Sequence, residues 1–118
     1  MKQHQSAQVS LRNVDKVFGR PGKPAEDVHA MGPIDLELRQ GEFFAVVGPS
    51  GCGKSTLLEL IAGLSTATHG DVAFEGNPIE GRIPDGVGVV FQEDAYFPWL
   101  TVTENIAFGL RRMKLAPD

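Results

Sequence analysis

Three glycines, a lysine and three hydroxyl residues stand at fixed spacing in the run Gly48-Pro49-Ser50-Gly51-Cys52-Gly53-Lys54-Ser55-Thr56. The pattern Gly-x-x-x-x-Gly-Lys-Ser can cradle the phosphates of a nucleoside triphosphate. A triphosphate is densely negative and rich in acceptor oxygens. It needs convergent backbone N–H donors, and side chains there would block close approach. Gly48, Gly51 and Gly53 supply bare backbone able to take positive φ, so the amides of the loop, with Pro49, Ser50 and Cys52 completing it, form an anion nest. The helix expected from Lys54 adds the positive end of its dipole. Lys54 would then reach the β- and γ-phosphates, and Ser55 would place its hydroxyl on Mg²⁺. Thr56 would donate near the α-phosphate. Cys52 reads as a small loop residue, with a reactive thiol at a helix N-terminus as the alternative.

Such a loop must be held between a strand and a helix, and the flanking sequence predicts both. "FFAVV" (Phe43 to Val47) is apolar on both faces, which suits a central strand of a parallel sheet. "KSTLLELIA" carries Leu57, Leu58 and Ile61 at helical spacing, with Gly63 placed as its C-terminal stop. Upstream, "QVSLRNVDKVF" (Gln8 to Phe18) reads as a half-buried strand with a bulge near Asn13. "GRPGKPAED" reads as a Gly/Pro-rich loop. "IDLEL" alternates, with Ile34, Leu36 and Leu38 inward, as in an antiparallel strand with one wet face. Downstream, "DVAF" and "VGVVF" read as short strands. "VTENIAFGLRRMKL" reads as a second helix, with Thr101 or Thr103 near its start and Arg111, Arg112 and Lys114 near its end, a charge order that complements the helix dipole. That basic group reads as a solvated helix end. No internal repeat or low-complexity segment is present.

Length and composition bound the function. A chain of 118 residues is at most one domain. Its net charge of −4 argues against nucleic acid as a partner, which would call for a basic face. The longest uninterrupted apolar run is Phe43 to Val47, too short to span a bilayer. The start, "MKQHQSAQ", lacks the apolar stretch of a secretory signal. One cysteine excludes an internal disulfide and a cysteine-cluster metal site. These features suit the cytosol.

A phosphate loop alone defines a superfamily that includes GTPases, small-molecule kinases and transport ATPases. The running order "GEFFAVVGPSGCGKSTLLELIAGL", Gly70, Gly76, "VVFQ" and "TVTENIAFGL" narrows the choice. From about Val9 to Leu110 the chain closely resembles the nucleotide-binding subunits of ATP-binding-cassette (ABC) transporters. "VVFQEDAYFPWLTVTENIAFGL", with Pro98-Trp99 after the glutamine strand, looks most like the subgroup serving nitrate, sulfonate and taurine import.

The resemblance implies an α/β P-loop NTPase fold with an N-terminal antiparallel β-subdomain, incomplete at the C-terminus. It divides the chain into a polar tail (1–8), a β-subdomain and Walker A core (9–91), and a Q-loop with the start of a helical subdomain (92–118). Gly48 to Thr56 matches the Walker A loop. Gln92 matches the Q-loop glutamine, which approaches Mg²⁺ and the attacking water, and whose amide both donates and accepts. Phe18 falls where the family keeps an aromatic, usually Tyr, to stack on adenine; a core aromatic at a strand end is the alternative. Phe97, Pro98 and Trp99 match the shelf that receives the permease's coupling helix, with ordinary core filling as the alternative. The implied cofactors are ATP and Mg²⁺. The implied partners are transmembrane permease subunits, a second ATP-binding subunit packed head to tail and, indirectly, a solute-binding protein. The implied location is peripheral, at the inner face of the cell membrane.

Four groups of the family's catalytic cycle are not found in these 118 residues. No Ser-Gly-Gly occurs, so the signature motif is missing. His4, His29 and His69 all precede Gln92, so none can be the switch histidine. "VGVVFQED" resembles a Walker B strand, but Gln92 stands where the aspartate should cap it, and Glu93 and Asp94 lie past it. The glutamate that follows Walker B is missing with it. The expectation is therefore the phosphate grip of an ATPase whose second half lies outside this chain, inactive by itself. The alternatives are a nucleotide-binding module that never hydrolyses and, less favoured, a small-molecule kinase.

Overall fold

The computed structural model describes residues 7–20, 22–51 and 53–113. They fall into two compact units, divided after Gly88. The first carries a four-stranded antiparallel sheet of order β2-β1-β3-β4, built from β1 (Ala7–Arg20), β2 (Lys23–Arg39), β3 (His69–Phe74) and β4 (Asn77–Pro78). One helix, α1 (Lys54–Ala62), belongs to the same unit.

In β1 the inward positions are Val9, Leu11 and Val14 rather than Val9, Leu11 and residue 13. The bulge expected near Asn13 supplies the extra residue: between Leu11↔Leu36 and Val14↔Ile34 the register slips by one. Asn13 takes φ 49° there, a left-handed conformation that Asn tolerates better than most residues. Its N–H is satisfied by the Asp35 carboxylate at 2.8 Å. The bulge thus returns Val14, fully buried, to the core face. Leu57 and Leu60 of α1 meet that face, completing one cluster with Val9, Leu11, Val14, Met31 and Val72. Ile34, Leu36 and Leu38 pack half-buried beside it, on the alternation the sequence predicts.

Three expectations need correction. The Gly19–Asp27 loop is mostly strand: Arg20 pairs with Lys23 and β2 starts at once. Pro24 and Pro33 are tolerated because β2 is the sheet's edge, where a missing N–H breaks no ladder. Both faces of its first half are wet, so no alternating apolar pattern marked it as strand. On α1, Leu60 rather than Leu58 is buried, and Leu58 faces out. Finally, "FFAVV" and "VGVVF" are not strands here; Phe43 is 95% exposed and Val90 fully so. A segment apolar on both faces becomes a strand only with partners along its edges, and among the described residues every pairing is antiparallel and involves neither segment.

The second unit, from Val89, centres on α2 (Val102–Arg112). Thr101 is its N-cap. The Thr101 hydroxyl accepts from the Glu104 N–H at 3.1 Å, and the Glu104 carboxylate accepts from the Thr101 N–H at 2.8 Å, a reciprocal capping box. Asn105 ties the preceding loop to the helix. Its Oδ1 accepts from Phe97 N at 2.8 Å, and its Nδ2 donates to the carbonyls of Phe97, Leu100 and Thr101 at 3.2, 3.2 and 2.9 Å.

Candidate functional site

Of the run Gly48–Thr56, the last three residues lie in α1, which starts at Lys54 as the spacing predicts. Two of the run's glycines take the conformation that makes a nest possible: Gly51 at φ 81° and Gly53 at φ 97°. Gly53 is constrained twice. A Cβ there would lie 2.8 Å from the carbonyl oxygen of Ala30 and 3.1 Å from the Met31 Cβ, so the loop passes against β2 where only glycine fits. A Cβ at Gly51 would meet nothing within 4 Å, so this part of the loop presents bare, open backbone. Gly53, the N-cap, brings no side chain to the helix start, and the first amides of the helix have donor capacity for an anion.

Lys54 turns its ammonium back over the loop. Its Nζ donates to the carbonyls of Gly48 and of Pro49, the latter at 2.8 Å. A unit positive charge therefore sits at the loop's rim, beside the donor-rich backbone. Ser55, one residue into the helix, is exposed, and Thr56 is half-buried. Cys52 and Lys114 lie outside the described residues, as do residues 1–6 of the polar tail, His4 among them. At the helix's far end Gly63 closes α1 in the left-handed region, φ 80°, with its N–H turned back onto the helix, as expected.

Phe18 lies on β1 and is 45% exposed, so it is not filling the core. The Lys16 Nζ stands 5.2 Å from its ring centroid. Phe18 and the phosphate loop belong to the first unit; Gln92, exposed in an irregular segment, belongs to the second. In that unit Phe97 is half-buried at the middle of an aromatic group, with ring centroids 5.3 Å from Trp99 and 4.6 Å from Phe108. Trp99 itself is 77% exposed. Filling and presentation are thus divided between neighbours: Phe97 packs and Trp99 faces out.

Sequence reasoning missed the role of Asn105, whose signal was faint, since a lone helical Asn has many uses. It also left Thr101 and Thr103 undecided, although Glu104 three residues after Thr101 completes the capping-box spacing. A brace on β1 was missed too. Asp15 accepts from the His69 N–H at 3.1 Å and meets the His69 ring at 2.9 Å, while the Thr68 hydroxyl accepts from Val17 N at 2.9 Å.

The antiparallel sheet, the glycine loop and the helix starting on its lysine are the parts of a P-loop nucleotide-binding fold. The family model described as ABC transporter matches residues 31–117, and the chain belongs to that family. It is 47% identical over 109 residues to the spermidine/putrescine import ATP-binding protein PotA of Thermobifida fusca, covering 91% of this chain and 28% of that protein. It is 46% identical over 108 residues to the taurine import ATP-binding protein TauB of Pelagibacter ubique, covering 90% of this chain and 39% of that protein. Among solved structures, the dimeric ATP-binding cassette MJ0796 in a post-hydrolysis state with ADP and Pi superposes with a TM-score of 0.76 at 31% identity, over 93% of this chain and 49% of that one. The α/β P-loop cassette fold, with its N-terminal antiparallel sheet, is thereby shown. The chain spans less than half the length of each of these relatives.

Proposed function

We propose that this chain is part of the ATP-binding subunit of an ABC importer, binding ATP through Gly48–Thr56 so that hydrolysis drives solute uptake. The observation that carries the reading is the loop itself: Gly51 and Gly53 left-handed, Lys54 at the rim, and α1 starting behind them. Backbone amides of Gly48 to Gly53, with Pro49 shaping the turn and Ser50 and Cys52 within it, hold the phosphates; the Lys54 ammonium neutralises the outer ones. Phe18 offers its ring to the adenine. Among the described residues no group of three or more His, Cys, Asp or Glu side chains could hold a metal. Mg²⁺ would be held through the Ser55 hydroxyl, phosphate oxygens and water, which suits a hard cation that keeps much of its hydration.

The dimeric state of the ADP-and-Pi-bound cassette supports a second ATP-binding subunit as partner, packed head to tail so that each covers the other's phosphate loop. The import ATP-binding names of the relatives support permease subunits as the membrane partners and, behind them, a solute-binding protein. No helix among the described residues is long and apolar enough to cross a membrane, which fits a subunit held at the inner face by its permease. The Phe97-Pro98-Trp99 segment, with Trp99 outward, is the surface offered to that partner.

For the solute we favour a small sulfonate or anion such as taurine or nitrate, on Pro98-Trp99 and the taurine relative. The polyamine relative is as similar. The test is ATP hydrolysis by the full-length protein, reconstituted with its permease in vesicles. Stimulation by taurine or nitrate with its binding protein is expected. Stimulation by a polyamine alone would overturn the solute assignment.

A further inference from the structure

We propose that Lys16 is a positioning residue for the base-stacking ring of Phe18. The inference rests on the reading of Phe18 as the adenine platform. The Lys16 ammonium lies 5.2 Å from the centroid of the Phe18 ring, within cation–π range. It is also tethered, donating to the Thr66 carbonyl at 2.5 Å in the loop that follows α1. The cation therefore links one side of the ring to the segment leaving the phosphate-loop helix, while Phe18 stays 45% exposed and has surface left for a base.

The backbone around Lys16 is fixed without its charge. The Thr68 hydroxyl accepts from Val17 N at 2.9 Å and donates to Val17 O at 3.3 Å. Thr68 N donates to Asp15 O at 2.9 Å, and the Asp15 carboxylate accepts from His69 N at 3.1 Å. These contacts hold β1 on either side of Lys16. The ammonium, anchored on the Thr66 carbonyl, adds the contact with the ring: it fixes the rotation of Phe18 and draws on the ring's electron density from one side. An aromatic so held is ordered before the base arrives, and less rotamer freedom is lost on binding.

The test is calorimetric titration of the protein at its full natural length with Mg-ATP and with Mg-tripolyphosphate, which has the phosphates and no base. Lys16→Met keeps the aliphatic stem and removes the charge. It should weaken ATP binding about two- to five-fold, the range for an exposed cation–π contact, and leave tripolyphosphate binding unchanged. Lys16→Arg should bind ATP as the parent does. An equal loss for both ligands would mean that Lys16 merely supports the fold, and would overturn the inference. So would unchanged ATP affinity in Lys16→Met while Phe18→Ala weakens it. If Phe18→Ala, still folded, binds ATP as well as the parent, the platform reading falls and takes the inference with it.

Discussion

Gly53 has no room for a side chain against β2, and Phe18 keeps an exposed ring that we propose meets adenine. Phe18→Ala should cost about 1–3 kcal/mol of ATP affinity, the range for base-on-aromatic stacking, and Phe18→Tyr should be nearly neutral, as titration calorimetry will read. With the ring half exposed, the alanine variant should keep its circular dichroism. Gly53→Ala should destabilise the fold by at least about 1–2 kcal/mol. The left-handed backbone alone costs that much for a residue with a Cβ, and the Ala30 carbonyl stands in the way. Denaturant unfolding measures the loss. The left-handed turns at Gly51 and Gly53 and the helix start at Lys54 were legible because such backbone allows few alternatives to glycine. The close pass of Gly53 against β2 was not legible, since it joins residues far apart in sequence.

At the scale of elements, α2 shows how a helix start answers to pH. The Glu104 carboxyl is held below its ordinary range, first by the Thr101 backbone N–H, then by the Thr101 side chain, with Arg111 adding a smaller pull. A folded-state pKa that is depressed contributes stability that is fully present above the unfolded value and is lost as pH falls through the folded one. The first turn of α2 should therefore fray in acid, and Glu104→Gln, which keeps an acceptor for Thr101 N, should remove the pH dependence. Carboxyl NMR titration checks it: a Glu104 that titrates like an unfolded glutamate would contradict the capping box. Asn105→Ala should release the loop before α2, because four hydrogen bonds go with it. The emission of Trp99, the only tryptophan, reports this directly. Helices were the most legible elements: α1 starts and stops where the lysine and Gly63 put it, and α2 starts at Val102 as expected but ends at Arg112, short of the run to Leu115 that the sequence suggested. The first half of β2 was hidden because both its faces are wet. "FFAVV" and "VGVVF" show the converse: apolar on both faces, they read as strands, yet among the described residues they pair with no other segment.

For the whole molecule, exposed Phe43, Val47 and Val90 and the outward apolar residues of α2 amount to surface that a soluble monomer rarely leaves open. The 118-residue chain on its own is expected to self-associate, read by light scattering after size exclusion. It is also expected to release no phosphate above its Lys54→Ala variant, since these residues contain no signature motif and no histidine after Gln92. Robust release that vanishes in the variant would mean a complete small ATPase. The central claim is that Gly48–Thr56 holds the phosphates of ATP, and it is tested most directly by titrating Mg-ATP into the full-length protein and its Lys54→Ala variant. Losing the charge-assisted contact should cost about 1.5–3 kcal/mol, roughly ten- to a hundred-fold in affinity. Equal affinity in two folded proteins would contradict the account.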